Sequence, residues 1–445
     1  MSKTLWLILA CLGLFAGMAH ASEAGAQAEQ PDDDQIVRFD GRGIPTKVIE
    51  DDYVWVKGKK GFEIKQKAYE VKDVIRGNAD QNYGLAREMM EKGKYRVACL
   101  CYERALKAMA GQKWAEEYCN FGIAQALYAN NEFKGFTGKS GTVYSPAAVY
   151  YKKALEANPK SRFLPVILTR MALSLMEEGK FSEAEAALQD AQKRIKAYGD
   201  EIFAAHNVRE PGNRARAMLA VADAAVAERR ASQDKSPDWN AVKDKWLTAR
   251  ARAMEFPEIN GEAVDGMFRT LLAMKDYTSA LSEADNIIGK YKKDGDVKLM
   301  PLLPGAYFAR GSAYLQQAID YDGKGQKTQA NDCYANARWA FINVMAQFFD
   351  NDEYVVKSHF FAGECYDKLR DLEPDAADKA VREWRLIVTD YPYSGLKDQA
   401  LAELKRVGAS VEPVTDAAKP EPNAEPKAEP PAAPAKAPAK GPAKK

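Results

Sequence analysis

The residues with the most chemical capacity in this chain are few and scattered. Cys99 and Cys101 stand one residue apart in EKGKYRVACLCYERAL, residues 91 to 106. Two thiolates can hold zinc or run redox chemistry, provided that both sulfurs reach one point. The run around them has helical spacing, and residues two apart on a helix are separated by about 200°. Cys99 and Cys101 therefore face apart and do not share an ion. Neither a C-x-x-C pair nor an H-E-x-x-H run occurs in the 445 residues. What stays open is a single cross-helix bond from Cys99 or Cys101 to Cys119, and another of the same kind between Cys333 and Cys365.

The remaining candidates lead to the same place. His206 lies in AAHNVREPGN, which reads as a loop with no cysteine or second histidine near it in sequence. The stretch GFTGKSG, residues 135 to 141, ends in Lys-Ser but lacks the spacing of a phosphate loop and a strand before it, so it reads as a surface loop. No nucleophile, base and orienting group are brought together. The expectation is a non-enzymatic protein with no metal and no cofactor. Lys and Arg number 64 against 63 Asp and Glu, so the chain has no net field with which to steer nucleic acid, and no such partner is expected.

The ends of the chain carry addresses rather than chemistry. Lys3 precedes an uncharged apolar run from Leu5 to Ala19, and Ala19-His20-Ala21 forms a small-x-small cleavage site. This predicts a secretory signal peptide over residues 1–21, cleavage after Ala21, and export to the periplasm or cell envelope. A membrane span needs about 20 apolar residues, so the run is short for one, although a retained anchor stays open as the alternative. Of the six cysteines Cys11 lies in this leader, which leaves an odd five: at least one thiol cannot pair within the chain. Residues 408–445 are rich in Ala, Pro and Lys, too poor in large apolar side chains to offset the entropy of ordering, and are expected to form a disordered tail. Its lysine tip suggests weak contact with an anionic cell-wall polymer or membrane, beside the plainer role of a solubilising tail.

Two kinds of order lie between. After a linker over 22–34, residues 35–77 alternate with a period near two (QIVRF, PTKVIE, YVWVK, GFEIK, AYEVKDVI), with Phe62/Ile64 and Tyr69/Val71 setting apolar faces. They predict a small antiparallel β module of four or five strands, similar in size to SH3-like barrels, with Trp55 filling its core. Residues 79–407 change to alanine-rich segments with helical period. There one spacing recurs: Gly93, Tyr95, Ala98, Tyr102, Ala105; then Gly179, Phe181, Ala184, Leu188, Ala191; and Tyr144, Ala147, Tyr151, Ala154. Further copies run Trp239, Val242, Trp246, Ala249; Tyr277, Ala280, Ala284, Ile287; Ala377, Ala380, Trp384, Ile387; and more weakly Ala330, Tyr334, Ala337. Steps of three and four keep each set on one helix face, where alanines admit a neighbouring helix and the aromatic fills the space beside it. Earlier helices place a small residue among bulky ones at Gly122, Gly311 and Gly363, and His359 takes a slot where sibling units have tyrosine, which makes it a packing ring.

This pattern resembles the tetratricopeptide repeat over about three quarters of the chain. The resemblance implies a mostly α fold: a right-handed α-α superhelix of about seven helical hairpins with a capping helix, behind the β module. Insertions between paired helices are expected around NEFKGFTGKSGTV, near Gln233 to Asp238, and at DYDGKGQ and RDLEPD. The last unit, AVREWRLIVTDYPYSGLKDQALAELKRV, also resembles repeats of periplasmic and outer-membrane assembly factors. In the repeat's register the inward-facing candidates are Tyr83, Arg87, Asn120, Arg170, Arg269, Phe308 and Glu364. Asn120 and Arg170 fall where carboxylate-binding members carry an asparagine and a basic residue, whereas the first unit has Tyr83 and Arg87 in place of the expected lysine and asparagine. The implied function is an interaction scaffold that binds another envelope protein or peptide in a concave groove. The alternative is an envelope tether that uses the β module and the lysine-rich tail.

Overall fold

The computed structural model describes residues 33–138, 141–295, 297–392 and 394–410. The expected leader, nearly all of the linker, and the tail from 411 lie outside the described residues. Six short strands come first: β1 (Gln35–Arg38), β2 (Gly43–Pro45), β3 (Lys47–Asp51), β4 (Trp55–Lys60), β5 (Phe62–Lys67) and β6 (Val71–Ile75). They form two antiparallel three-stranded sheets, ordered β2-β1-β6 and β3-β4-β5. Between them lies a core of Ile36, Val56, Ala68, Val71 and Val74. Two expectations are corrected here. Phe62 is 72% exposed rather than on an inner face, and Trp55 is outside this core, packed edge-on against His206 at 4.3 Å with Lys65 Nζ over its ring at 3.8 Å.

Seven helix pairs and a closing helix follow. The first members are α1 (Gln81–Glu91), α3 (Lys113–Ala129), α5 (Leu164–Glu177), α7 (Glu210–Ala231), α9 (Pro257–Ala273), α11 (Leu303–Gly323) and α13 (Asp352–Lys368). Their partners are α2 (Tyr95–Ala108), α4 (Ala147–Ala157), α6 (Phe181–His206), α8 (Trp239–Ala253), α10 (Tyr277–Asp294), α12 (Lys327–Gln347) and α14 (Ala376–Asp390), and α15 (Lys397–Arg406) closes the array. The seven second helices hold the seven stretches in which the spacing recurs. Each helix packs on the next, and the first helices also touch one another from pair to pair. The fold class expected from sequence, a mostly α stack of hairpins behind a small antiparallel module, is the one observed.

Local chemistry explains where the helices begin and turn. Asp80, Asp238 and Asp276 cap α1, α8 and α10, each side chain accepting from a backbone N–H of the first turn. In several hairpins the turn between paired helices passes through a left-handed residue, at Gly93 (φ 66°) and Gly179 (φ 83°) but also at Asn131 and Lys275. Glycine takes that conformation freely, while Lys275 does so at a cost of roughly 1–2 kcal/mol. The insertion after α3 forms a two-stranded hairpin, β7 (Phe136–Thr137) and β8 (Val143–Tyr144), closed by stacking of Phe136 on Tyr144 at 4.5 Å. The expected loop around His206 is shorter than read: α6 runs 26 residues to His206 and ends at left-handed Asn207.

Close approach of the helices rests on aromatic rings seated over glycines. A Cβ on Gly122 would lie 2.5 Å from the Tyr102 ring, one on Gly311 2.7 Å from Phe341, and one on Gly363 2.5 Å from the Trp384 indole. Trp384 is fully buried, and its Nε1 donates to the Phe360 carbonyl at 3.2 Å. Gly266 meets Trp246 in the same way, a contact that the sequence reading did not single out.

The β module is docked on the first three hairpins through buried charge. The side chains of Asp51, Arg76 and Arg162 are only 6%, 6% and 8% exposed. Asp51 lies 3.4 Å from Arg76 and 3.7 Å from Arg162, and the Tyr118 hydroxyl of α3 donates to it. Arg162 also faces Asp73 at 3.7 Å, and Asp73 pairs with Arg87 of α1. Around this network the Tyr53 amide donates to the Lys160 carbonyl at 2.9 Å, and His206 Nε2 lies 2.9 Å from the Val54 carbonyl. Asn158 Nδ2 donates both to the Asp51 carbonyl (3.0 Å) and to Glu117 Oε2 (2.9 Å).

Two outcomes follow from this packing. Trp384→Ala should lower unfolding stability by about 3–5 kcal/mol, and Gly363→Val by about 1–3 kcal/mol through overpacking, both read as a lower urea midpoint. At the junction, burial pushes the Glu117 carboxyl up to about 7 from its ordinary 4.5, against hydrogen bonds from Ser161 and Asn158 that lower it. The folded state therefore holds a proton on Glu117 that the unfolded chain releases above 4.5, so its contribution is present below that pH and is lost as pH rises through about 7. Glu117→Gln should leave the melting temperature unchanged near pH 5 and raise it near pH 8; equal effects at both values would contradict this.

Candidate functional site

Because the first helices contact one another along the array, they line its tighter, inner side. The residues expected in a groove do lie on or beside these helices, but they do not form one continuous lining. At the N-terminal end the chain itself covers the surface. Tyr83 is buried edge-on between Tyr102 (5.9 Å) and Trp114 (5.8 Å). Arg87 is paired with Asp73 of the β module. Asn120 is buried, its Nδ2 donating to the Glu116 carbonyl of its own helix at 2.6 Å. Arg170 bonds Gln125 and lies 5.0 Å over the Tyr128 ring. Asn120 and Arg170 are therefore not poised together as a carboxylate clamp.

Further along, α7, α9, α11 and α13 build a different surface. Arg269 grips Glu228 through two parallel bonds, Nε to Oε1 at 2.8 Å and Nη2 to Oε2 at 3.0 Å, and the Trp246 indole donates to the same carboxylate at 3.1 Å. This fork geometry holds the guanidinium rigidly. Its remaining nitrogen, Nη1, is buried without a hydrogen-bond partner among the described residues. One turn before, Asp265 accepts from the Tyr354 hydroxyl of α13, over Gly305 of α11, whose missing side chain leaves room for that carboxylate. Burial pushes Asp265 up to about 6, against the Tyr354 hydrogen bond and the nearby Arg269. Glu262, one turn further back on α9, is exposed to solvent. Loss of water raises its carboxyl, Arg269 and Arg170 lower it, and Asp265 and Glu353 raise it further.

The remaining expected site residues flank this floor. Phe308 packs among Phe341 (5.6 Å), Tyr354 (5.6 Å) and Phe361 (6.0 Å), so it supports the wall. Glu364 lies beyond it, at the α15 end. Glu228, Glu262, Asp265 and Tyr354 were not singled out from sequence. Spacing locates packing positions, whereas Glu228 meets Arg269 across 41 residues and Tyr354 meets Asp265 across 89, separations that spacing does not encode. A second depression of ≈ 740 Å³ opens between α4, α5 and α6 beside Tyr53, but Lys160 on its edge is already held by Glu201 at 2.7 Å.

The thiols are placed as packing groups. Cys99, Cys101, Cys119, Cys333 and Cys365 are all free and buried, so the cross-helix bonds left open by the sequence, to Cys119 and between Cys333 and Cys365, are not formed. Two of the sulfurs have polar company: Cys99 Sγ points at the Ile123 carbonyl (3.9 Å) and Cys333 Sγ at Gln317 (3.6 Å). Burial pushes Cys99 and Cys119 up to about 12 and raises Cys101, Cys333 and Cys365, which leaves little reactive thiolate. His359 Nδ1 lies 2.5 Å from Glu383 Oε2, within the packing between α13 and α14. Among the described residues no group of three His, Cys, Asp or Glu is placed to hold a metal ion.

No protein-family model and no curated protein matches the chain. Among solved structures it is similar to the human IFIT1 dimer with m7Gppp-AAAA, at 15% identity over 71% of this chain and 58% of that one, with a TM-score of 0.37. The chain thus spans less than two thirds of the IFIT1 chain. It is also similar to the P58(IPK) TPR domain (15% identity, 74% of this chain and 97% of that one, TM-score 0.20) and to yeast Tom70 (14%, 73% and 68%, TM-score 0.21). TM-scores of this size carry no functional inference, and the fold assignment rests on the helix packing described above.

Proposed function

We propose that the protein is a non-enzymatic interaction scaffold of the bacterial cell envelope. It binds a protein or peptide along the inner face of α7, α9, α11 and α13. The observation that carries this reading is the floor at Arg269 and Glu262: a rigidly held guanidinium with an unmet donor lies beside a carboxylate open to solvent. Such a floor suits an extended segment that offers a backbone or side-chain oxygen to Arg269 and a basic group to Glu262 and Asp265. The side chains with nucleophilic capacity support the non-enzymatic reading, since the thiols are buried and both described histidines are engaged.

Glu262→Lys reverses the charge at an open position and should leave the helical circular dichroism unchanged. It should weaken capture of the partner from envelope extract at least tenfold, about 1.4 kcal/mol; undiminished capture would count against the groove.

A second reading, the envelope tether, is favoured by the outer surface of the β module, where Phe39, Ile49 and Phe62 are exposed. Deletion of residues 411–445 separates the two, because retention on envelope fractions should survive under groove binding and fall under tethering. Export itself predicts a mature N-terminus at Ser22, which mass spectrometry of the secreted chain would establish.

A further inference from the structure

We propose that the hollow between α11, α12, α13 and α15 binds an alkylammonium group, either the tip of a lysine side chain or a free aliphatic amine. The cavity measures ≈ 360 Å³, at the small end of the range for ligand sites. Leu315 and Ile319 of α11 supply an apolar wall, with Ile319 still partly open to solvent. Tyr334 of α12 lines the hollow and is 2% exposed, yet its hydroxyl has no hydrogen-bond partner among the described residues. A buried hydroxyl left without a partner costs about 1–3 kcal/mol, which a ligand able to bond it would recover.

The charges around the hollow define the ligand. Arg406 of α15 bridges Glu403 (Nε to Oε2, 2.7 Å) and Asp367 of α13 (Nη2 to Oδ2, 2.6 Å), so those two carboxylates are already satisfied. Lys368 is drawn outward to Asp322 of α11 at 3.5 Å. Glu364 alone makes no ion pair or hydrogen bond among the described residues. One unmatched carboxylate calls for one positive charge. A divalent cation would need several free oxygen ligands, and Arg406 occupies the other two carboxylates. An ammonium on an aliphatic stem fits all three features. Its charge meets Glu364, one N–H is accepted by the Tyr334 oxygen, and its methylenes lie on Leu315 and Ile319.

The groups that face Glu364 set the pH dependence. Burial and Glu403 raise its carboxyl to about 7, Lys368 and Arg406 lower it, Asp367 raises it again, and Tyr334 is the titratable group contributed by α12. Only the ionised carboxylate attracts an ammonium, so affinity should fall by about tenfold per pH unit below that value. Two sources of the amine share this chemistry. Free amines are one, and lysines of this chain beyond residue 410 are the other. The described chain ends four residues after Arg406 of the hollow, with Arg385 of α14 holding the Ser410 carbonyl at 3.0 Å, and the sequence beyond carries Lys419, Lys427, Lys436, Lys440, Lys444 and Lys445.

The test is an NMR titration of the full-length protein with 1-aminopentane, repeated on a full-length variant in which those six lysines are glutamine. Saturable binding to the unaltered protein identifies a pocket for free amines. Binding that emerges or tightens at least tenfold only in the variant without lysines beyond residue 410 identifies the chain's own lysines as the occupant. In whichever form binds, Glu364→Gln should weaken it at least tenfold and Tyr334→Phe should weaken it while leaving the fold intact. Absence of saturable binding in both forms, or binding indifferent to Glu364→Gln, overturns the proposal. No protein partner enters this test, so its failure is distinct from failure of the groove reading.

Discussion

Asp51 is a carboxylate removed from water, and the arrangement of the N-terminal half depends on how its charge is met. It could not be buried alone. Arg76 from its own module, Arg162 from the turn between the second and third hairpins, and the Tyr118 hydroxyl from α3 converge on it. Removing one partner of such a group leaves an uncompensated buried charge, at a cost of about 3–5 kcal/mol. The network therefore selects one seating of the module, and Tyr53, Trp55 and His206 fill the apolar space around it. That seating has a functional consequence. With Arg87 turned to Asp73 and Tyr83 buried, both groove candidates of the first hairpin are taken up within the chain.

What stays open is the stretch from α7 to α13, and it differs from the closed end in electrostatic character. At the junction opposite charges are matched and sealed. At the groove floor Arg269, Glu262 and Asp265 share a crowded space in which the two carboxyls are raised, Asp265 to about 6, and one guanidinium nitrogen lacks a partner. Partly unmet polar groups of this kind are unfavourable in isolation and become favourable when a partner supplies the missing bonds. In the smaller hollow by α15, the Tyr334 hydroxyl is unmet in the same way beside the Glu364 carboxylate.

The repeat architecture was legible because each unit states its packing locally. Tyr102, Trp246 and Trp384 each fall four residues after a small or β-branched residue that faces the same neighbour, and a period of three and four writes that face into the sequence. Helix lengths were less legible. The α6 helix continues through Tyr198 to His206, which meet Tyr53 and Trp55 of the β module, far away in sequence. The module's strands were readable from alternation, but Phe62 and Trp55 were misplaced because alternation gives two faces without saying which one is covered, or by what. Of the expected groove residues, Arg269 stands at the open floor, while Arg87 is turned to Asp73 of the β module and Asn120 is buried and bonded within its own helix.

The central claim is that partners meet the protein on the inner face of α7 to α13 and nowhere on the first hairpin. Site-specific photo-crosslinking reads this directly, with a photoreactive residue placed in turn at Glu262, at Arg87 and at exposed Trp339 on α12 in the full-length chain. The account predicts a discrete protein adduct from position 262 and none from 87 or 339. Adducts from 87 or 339 with none from 262 would contradict it.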